Sequence, residues 1–164
     1  MILLHIYDVK KIMTYLLMQD VFDDFCLEEM QILTGARLEV NGHRNISWYD
    51  ADEREKGLTE YIRWKEIREI AFMYIKGRKT PQSFVISFHL TQEEASRLLK
   101  NPDLLKIKAG DNADFFLQLR YIKEELSVLT GISYKTFVLE KNLEFAWDDA
   151  VKKFFRNIKI AYGE

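Results

Sequence analysis

Three cations close together form the clearest candidate for chemistry in this sequence. Lys76, Arg78 and Lys79 fall within four residues and flank Gly77, whose missing side chain allows close approach to the backbone. Such a cluster can hold a phosphate group or a nucleic-acid backbone. The loop lacks the first glycine of the Gly-x-x-x-x-Gly-Lys-Thr phosphate loop and follows no strand, so that motif is excluded. The alternative is that these cations only complement the negative end of the preceding helix.

Aromatic side chains could complete a surface for a partner. Trp48 and Tyr49 are adjacent in a polar stretch, and Trp64 lies on a predicted helix. Aromatic anchors dominate many interfaces, although tryptophans on helical faces more often belong to the core. We predict a site for an anion or a partner that combines the cations with one or more of the aromatics, that is Lys76, Arg78 and Lys79 with Trp48, Tyr49 or Trp64.

Histidines and carboxylates could perform acid–base chemistry if the fold brings them together. The candidates are His5, His89, Asp50, Asp52, Asp111 and Asp114. His5 and His89 lie in the opening strands of the two halves of the chain and would meet if those strands were neighbours. A carboxylate pair with a histidine would suit a small hydrolase, whereas acidic runs in loops are more often simply solvated. No His-x-x-x-His or Glu-x-x-His spacing occurs, so we predict neither a metal site nor a cofactor.

Composition limits the class of protein. The chain has 164 residues, of which 48% are hydrophobic, and a formal net charge of −2. This size and content predict a single domain with a real core, and the charge excludes a general polyanion-binding surface. Cys26 is the only cysteine, which excludes an intrachain disulfide. The start of the chain lacks the pattern of a signal peptide, so we expect a cytoplasmic protein with no membrane contact.

Hydrophobic periodicity predicts an α+β fold with three to four helices packed on an antiparallel sheet. The central element is a helix from Thr59 to Lys76, which we expect to be largely buried. The other predicted elements are a strand at 2–7, a helix capped by Asp8, two strands between Phe25 and Val40, a strand at 84–90, a helix capped by Thr91, a strand at 115–122, two strands separated near Gly131, and a C-terminal helix.

An internal repeat is suggested by the order of these elements. We predict one domain over 1–164, with candidate halves at 1–45 and 83–140, a central helical segment at 46–80, and a C-terminal helix at 142–160. Ile32-Leu-Thr-Gly35 matches Val128-Leu-Thr-Gly131 between the halves. The alternative is chance similarity between two ordinary α+β units.

Several segments resemble those of a family of uncharacterised small bacterial proteins, a domain of unknown function. They are Trp64-Lys-Glu-Ile-Arg68, Ile75-Lys-Gly-Arg-Lys-Thr-Pro81 and Ala146-Trp-Asp-Asp-Ala-Val-Lys-Lys-Phe-Phe155. The resemblance covers most of the chain and implies a bacterial cytoplasmic protein without a known activity. In topology alone, the repeated unit is similar to one domain of the DNA sliding clamps, a likeness that implies no function.

Without a catalytic constellation, the sequence favours a non-enzymatic binding or interaction protein with a local basic patch. Its partner would be a protein or an anionic ligand. One alternative is a small hydrolase or phosphate-handling enzyme that uses a carboxylate and histidine cluster. The other is a clamp-like component acting on DNA.

Overall fold

The chain folds around a seven-stranded antiparallel sheet, as seen in a computed structural model that describes residues 1–106, 113–135 and 142–164. The strands are β1 (Leu3–Ile6), β2 (Cys26–Leu33), β3 (Arg37–Asn41), β4 (Ser83–Thr91), β5 (Ala113–Ile122), β6 (Glu125–Tyr134) and β7 (Tyr162–Gly163). Their order across the sheet is β3-β2-β4-β5-β6-β1-β7. The predicted α+β class is confirmed.

Five α-helices accompany the sheet in the described residues, slightly more than the three to four predicted. They are α1 (Val9–Leu17), α2 (Ala51–Glu55), α3 (Trp64–Ile75), α4 (Gln92–Leu98) and α5 (Asn142–Asn157), and short 3-10 helices occur at Ile46–Trp48 and Pro102–Lys106. The predicted caps at Asp8 and Thr91 are both present. The unpredicted α2 begins with a capping box between Asp50 and Glu53. Within the described parts of the chain, no helix is long and apolar enough to cross a membrane.

The core lies between the helices and one face of the sheet. Alternate residues of the central strands point into it, as the two-residue period of a strand requires, including Phe84, Ile86 and Phe88 of β4 and Phe115, Leu117 and Leu119 of β5. Trp64 of α3 and Trp147 of α5 are fully buried against this layer. The opposite face carries polar side chains such as Gln31 and Arg120, which are exposed.

The central helix is shorter and less buried than predicted. It begins at Trp64 rather than Thr59. Residues 59–63 are extended because their backbone groups bond to other segments: Ile62 donates to the Gly42 carbonyl at 2.8 Å, and its own carbonyl accepts from the Leu27 amide at 2.8 Å. Only Trp64 and Ala71 of α3 are buried, so the expectation of a largely buried helix was wrong.

The two candidate halves share an order of elements but not a strand pairing. A strand, a helix and two strands occur in each half, yet β4 pairs with β5, whereas the equivalent β1 does not pair with β2. Gly35 lies in the turn after β2, while Gly131 lies inside β6, which is one continuous strand instead of two. The predicted further strand through Thr136 and Val138 lies outside the described residues.

Candidate functional site

The extended segment at 59–63 places Tyr61 at the edge of the sheet. His43 and Tyr61 form an antiparallel bridge, and so do Cys26 and Arg63. Gly42 permits this crossing, because a side chain at position 42 would place its Cβ 1.7 Å from the carbonyl oxygen of Leu27. The segment therefore depends on a glycine at the end of β3.

The ring of Tyr61 stacks on the imidazole of His89, near the last residue of β4. The ring centroids are 4.6 Å apart and the planes are inclined by 27°. Asp114, at the start of β5, places Oδ1 3.3 Å from Nε2 of His89. The other carboxylate oxygen of Asp114 lies 3.9 Å from Nζ of Lys135. His89 is only 8% exposed, so these contacts hold its imidazole in one position.

Two adjoining depressions share Tyr61 as a wall, and we call them together the acidic groove. The first, of about 430 Å³, is lined by residues of β2 and β3 together with His43. The second, of about 570 Å³, is lined by residues around His89 and the start of α4. Each contributes three carboxylates: Glu28, Glu29 and Glu39 line the first, and Glu60, Glu93 and Asp114 line the second. Lys135 is the only lysine among the lining residues that the structure describes.

Burial perturbs two titratable groups in the acidic groove. The pKa of Glu28 is raised, mainly by desolvation and further by the charges of Glu29 and Asp114, although His89 opposes the shift. The pKa of the Tyr61 hydroxyl is also raised, first by desolvation and then by nearby acids such as Glu60. A negative and partly desolvated environment raises the pKa of an acid, which is the direction found for both groups.

Arg44 fixes the segment that carries Tyr61. Its guanidinium donates to both carboxylate oxygens of Glu66, at 3.0 and 2.8 Å, and to the carbonyls of Thr59 at 2.8 Å and Tyr61 at 3.3 Å. It also donates to the hydroxyl of Tyr49 at 2.7 Å. The hydrogen bond from Arg44 is the main cause of a lowered pKa at Glu66. Arg44 is 7% exposed, so this network is a buried support of the groove.

Cys26 lies beneath the groove and has no nucleophilic character. Its sulfur is 3.9 Å from the carbonyl oxygen of Tyr61 and 3.9 Å from Oε1 of Glu94. Desolvation, followed by the charge of Glu94, raises the pKa of the thiol to about 11. The thiolate is the reactive form of cysteine, so Cys26 is inert at neutral pH.

The predicted acid–base residues are brought together only in part. His89 and Asp114 converge in the acidic groove, but His5 does not join them, because β5 and β6 separate its strand from β4. Asp50 caps α2, with Asp52 in the first turn of that helix, and neither lines the groove. Asp111 lies outside the described residues. No group of three or more His, Cys, Asp or Glu side chains that could hold a metal is found within the described ranges.

The predicted surface of cations and aromatics is divided by α3. Tyr49 contacts Arg44, which in turn binds Glu66 in the first turn of this helix. Lys76 caps the other end of the helix. At a rise of 1.5 Å per residue, Glu66 and Lys76 are about 15 Å apart along the helix axis. Trp48 is 77% exposed and remains a candidate anchor. Trp64 is fully buried and donates from Nε1 to the Leu16 carbonyl at 2.6 Å, so the structure removes it from the surface.

The three cations of the loop at residues 76–79 also lie apart from one another. Lys76 turns back so that its ammonium lies 5.8 Å from the ring centroid of Phe72. Arg78 is exposed. Lys79 lines a different depression, together with Lys123 of the turn between β5 and β6. The sequence therefore identified one cation of this depression and missed the other, since only the strand pairing reveals that the two turns meet.

Comparisons with known proteins identify a family but no activity. No curated protein and no solved structure matches this chain. One family model matches residues 15–163, which is most of the chain. This protein therefore belongs to DUF5721, a family of unknown function.

Proposed function

We propose that this protein is a non-enzymatic binding protein whose ligand carries positive charge and occupies the acidic groove. The observation that supports this most directly is the excess of carboxylates there: three in each depression, with one lysine among the described lining residues. A cleft lined by one sign of charge concentrates the electric field and attracts the opposite charge. A ligand that neutralises these carboxylates also relieves the repulsion between them.

The chemistry of the groove suits ammonium or guanidinium groups. Carboxylates accept charge-assisted hydrogen bonds from such groups, and guanidinium binds a carboxylate through two parallel bonds. Glu39 forms an exposed ion pair with Arg37 at 3.4 Å, which a ligand can replace at little cost, and Glu93 is exposed as well. Both can reorient toward a ligand, whereas His89 and Tyr61 are held by their stacking. Volumes of about 430 and 570 Å³ lie within the usual range for small-ligand sites.

The test is calorimetric titration with a tri-arginine peptide, with a tri-glutamate peptide as the charge control. The variant Glu39→Gln/Glu93→Gln removes one carboxylate from each depression. We expect it to bind tri-arginine about tenfold more weakly, equivalent to about 1.4 kcal/mol, because two charge-assisted contacts are lost. The matched control is Asp52→Asn/Glu55→Gln, which removes two acids of α2 that do not line the groove. The absence of tri-arginine binding, or an equal loss in the control, would reject the proposal.

The second candidate is a small hydrolase or phosphate-handling enzyme, favoured by the contact of 3.3 Å between His89 and Asp114. A carboxylate that orients an imidazole is a common part of acid–base sites. Here, however, Asp114 contacts Nε2, the outer nitrogen, and only Nδ1, the nitrogen nearer the backbone, would be left for a substrate. Tyr61 in addition covers one face of the ring. This geometry favours binding over proton transfer.

The two candidates are separated by His89→Gln. Turnover of p-nitrophenyl phosphate or p-nitrophenyl acetate by the parent protein, lost in this variant, would establish the enzyme in place of the binding protein. Tri-arginine binding that is retained by this variant, with no turnover by the parent, would support the binding protein.

A further inference from the structure

We propose that the opposite end of the sheet holds a second site, which binds small phosphate-bearing anions. The site is a depression of about 540 Å³, here called the turn groove, lined by Lys79, Lys123, Thr34, Thr80, Gly35 and Glu124 among others. It lies beyond the first residue of β4, whereas His89 and the second depression of the acidic groove lie near its last residue. Since β4 has nine residues, its two ends are about 26 Å apart.

Strand pairing explains why three distant segments meet in the turn groove. Ser83 at the start of β4 pairs with Leu33 on one side and with Ile122 on the other. The turn after Leu33, the loop before Ser83 and the turn after Ile122 therefore emerge side by side. The amide of Gln82 also donates to the carbonyl of Leu33 at 2.9 Å, which fixes the loop against the first turn.

The turn groove offers the groups that recognise phosphate. Two ammonium groups, from Lys79 and Lys123, come from adjacent segments, and the hydroxyl of Thr80 can donate to anionic oxygens. The Thr34 hydroxyl lies 3.4 Å from the Ala36 carbonyl, to which it donates. Both lysines are exposed. Among the described residues, no carboxylate forms an ion pair with either lysine. Their charges are therefore available to a ligand.

The turn that presents Lys123 is energetically unfavourable for its residues. Lys123 and Glu124 have φ angles of 52° and 67°, so both lie in the left-handed region. A two-residue hairpin turn with two positive φ angles strongly prefers Asn-Gly. Non-glycine residues in this region cost about 1 kcal/mol or more each, and such strain concentrates at functional positions. A lysine in this unfavourable conformation fits a role for its charge in the groove.

The test is calorimetric titration of the whole protein with pyrophosphate at low salt. Lys79→Gln/Lys123→Gln keeps the chain length and removes both ammonium groups, and we expect at least tenfold weaker binding. Glu124→Gln removes an opposing carboxylate and should strengthen binding about twofold. The control Lys10→Gln/Lys56→Gln removes two exposed lysines elsewhere and should bind as the parent does.

Three results would overturn the proposal. The first is no pyrophosphate binding by the parent protein, and the second is an equal loss of binding in the lysine control. The third is that the parent binds a 20-nucleotide single-stranded DNA but not pyrophosphate, which would instead favour the DNA-associated alternative. The turn groove shares no lining residue with the acidic groove, so Glu39→Gln/Glu93→Gln should leave pyrophosphate binding unchanged.

Discussion

The two ends of β4 present opposite charges through different kinds of structure. At the last residues of β4, His89 is 8% exposed and is held by Tyr61 and Asp114, with a buried arginine behind them. At the first residues, Lys79 and Lys123 project from turns and are exposed. One charged surface is thus built on packed and hydrogen-bonded side chains, and the other on the tips of loops.

This difference shows how a near-neutral chain can carry two strong local potentials. The net charge of −2 is a sum of opposed surfaces rather than a sign of weak electrostatics. Charges are screened over about 8 Å at physiological salt, whereas the two ends of β4 are about 26 Å apart. Lys79 and Lys123 therefore have little influence on a ligand held beside His89 and Asp114. The ends should therefore differ in their response to mutation, because only the acidic end depends on buried support.

The largest expected effect compares one arginine from each end. Arg44→Met removes the guanidinium that donates to Glu66 and to the Thr59 and Tyr61 carbonyls, and we expect the free energy of unfolding to fall by about 3 kcal/mol. Arg37 lies opposite Leu33 at the turn end and pairs with Glu39 of the acidic groove, but both side chains are more than half exposed, at 59% and 56%. Arg37→Met should therefore cost about 0.5 kcal/mol or less. Urea denaturation of both variants measures the difference, and similar losses would contradict the contrast between the ends.

The second largest expected effect is a gain in stability, and it concerns the turn between β5 and β6. Lys123→Asn/Glu124→Gly supplies residues suited to two positive φ angles, so we expect the free energy of unfolding to rise by about 1–2 kcal/mol. The control is Lys123→Gln/Glu124→Gln, which removes the same charges but keeps the strain and should change stability by less than about 0.5 kcal/mol. Thermal denaturation monitored by circular dichroism compares the two. A control as stable as the first variant would show that charge, not backbone conformation, is responsible.

Local patterns in the sequence predicted most of the fold. Alternation identified β4 and β5, and the caps at Asp8 and Thr91 marked the starts of two helices, because these signals depend only on neighbouring residues. The segment at 59–63 was wrongly assigned to a helix, because its extended form is imposed by hydrogen bonds to Leu27 and Gly42, which lie far away in the sequence. Long-range pairing overrode local propensity there.

The candidate sites were much less predictable. His89 and Asp114 were identified by residue type, yet their convergence depends on the register between β4 and β5, which the sequence did not specify. Tyr61 and Arg44 carry no local signal, since one acts through stacking and the other through a buried network. Trp64 was misplaced because a tryptophan on a partly exposed helix can face either side, and here it faces the core.

The smallest effect concerns the pH dependence of the acidic end. The raised pKa of Glu28 means that the folded protein holds this proton at a pH where the unfolded chain, with an ordinary value of 4.5, has released it. Stability contributed by the protonated form is therefore lost as pH rises above that value. Glu28→Gln removes this loss and should stabilise the protein at pH 7 by about 0.5 kcal/mol or less, with a smaller gain at pH 4. Glu55→Gln, which changes an exposed acid of α2 outside the groove, is the control, measured by urea denaturation across this range. A gain for Glu28→Gln that is equal at both pH values would show that its carboxylate is not destabilised by burial, and the acidic groove would then be as open to solvent as the turns at the other end.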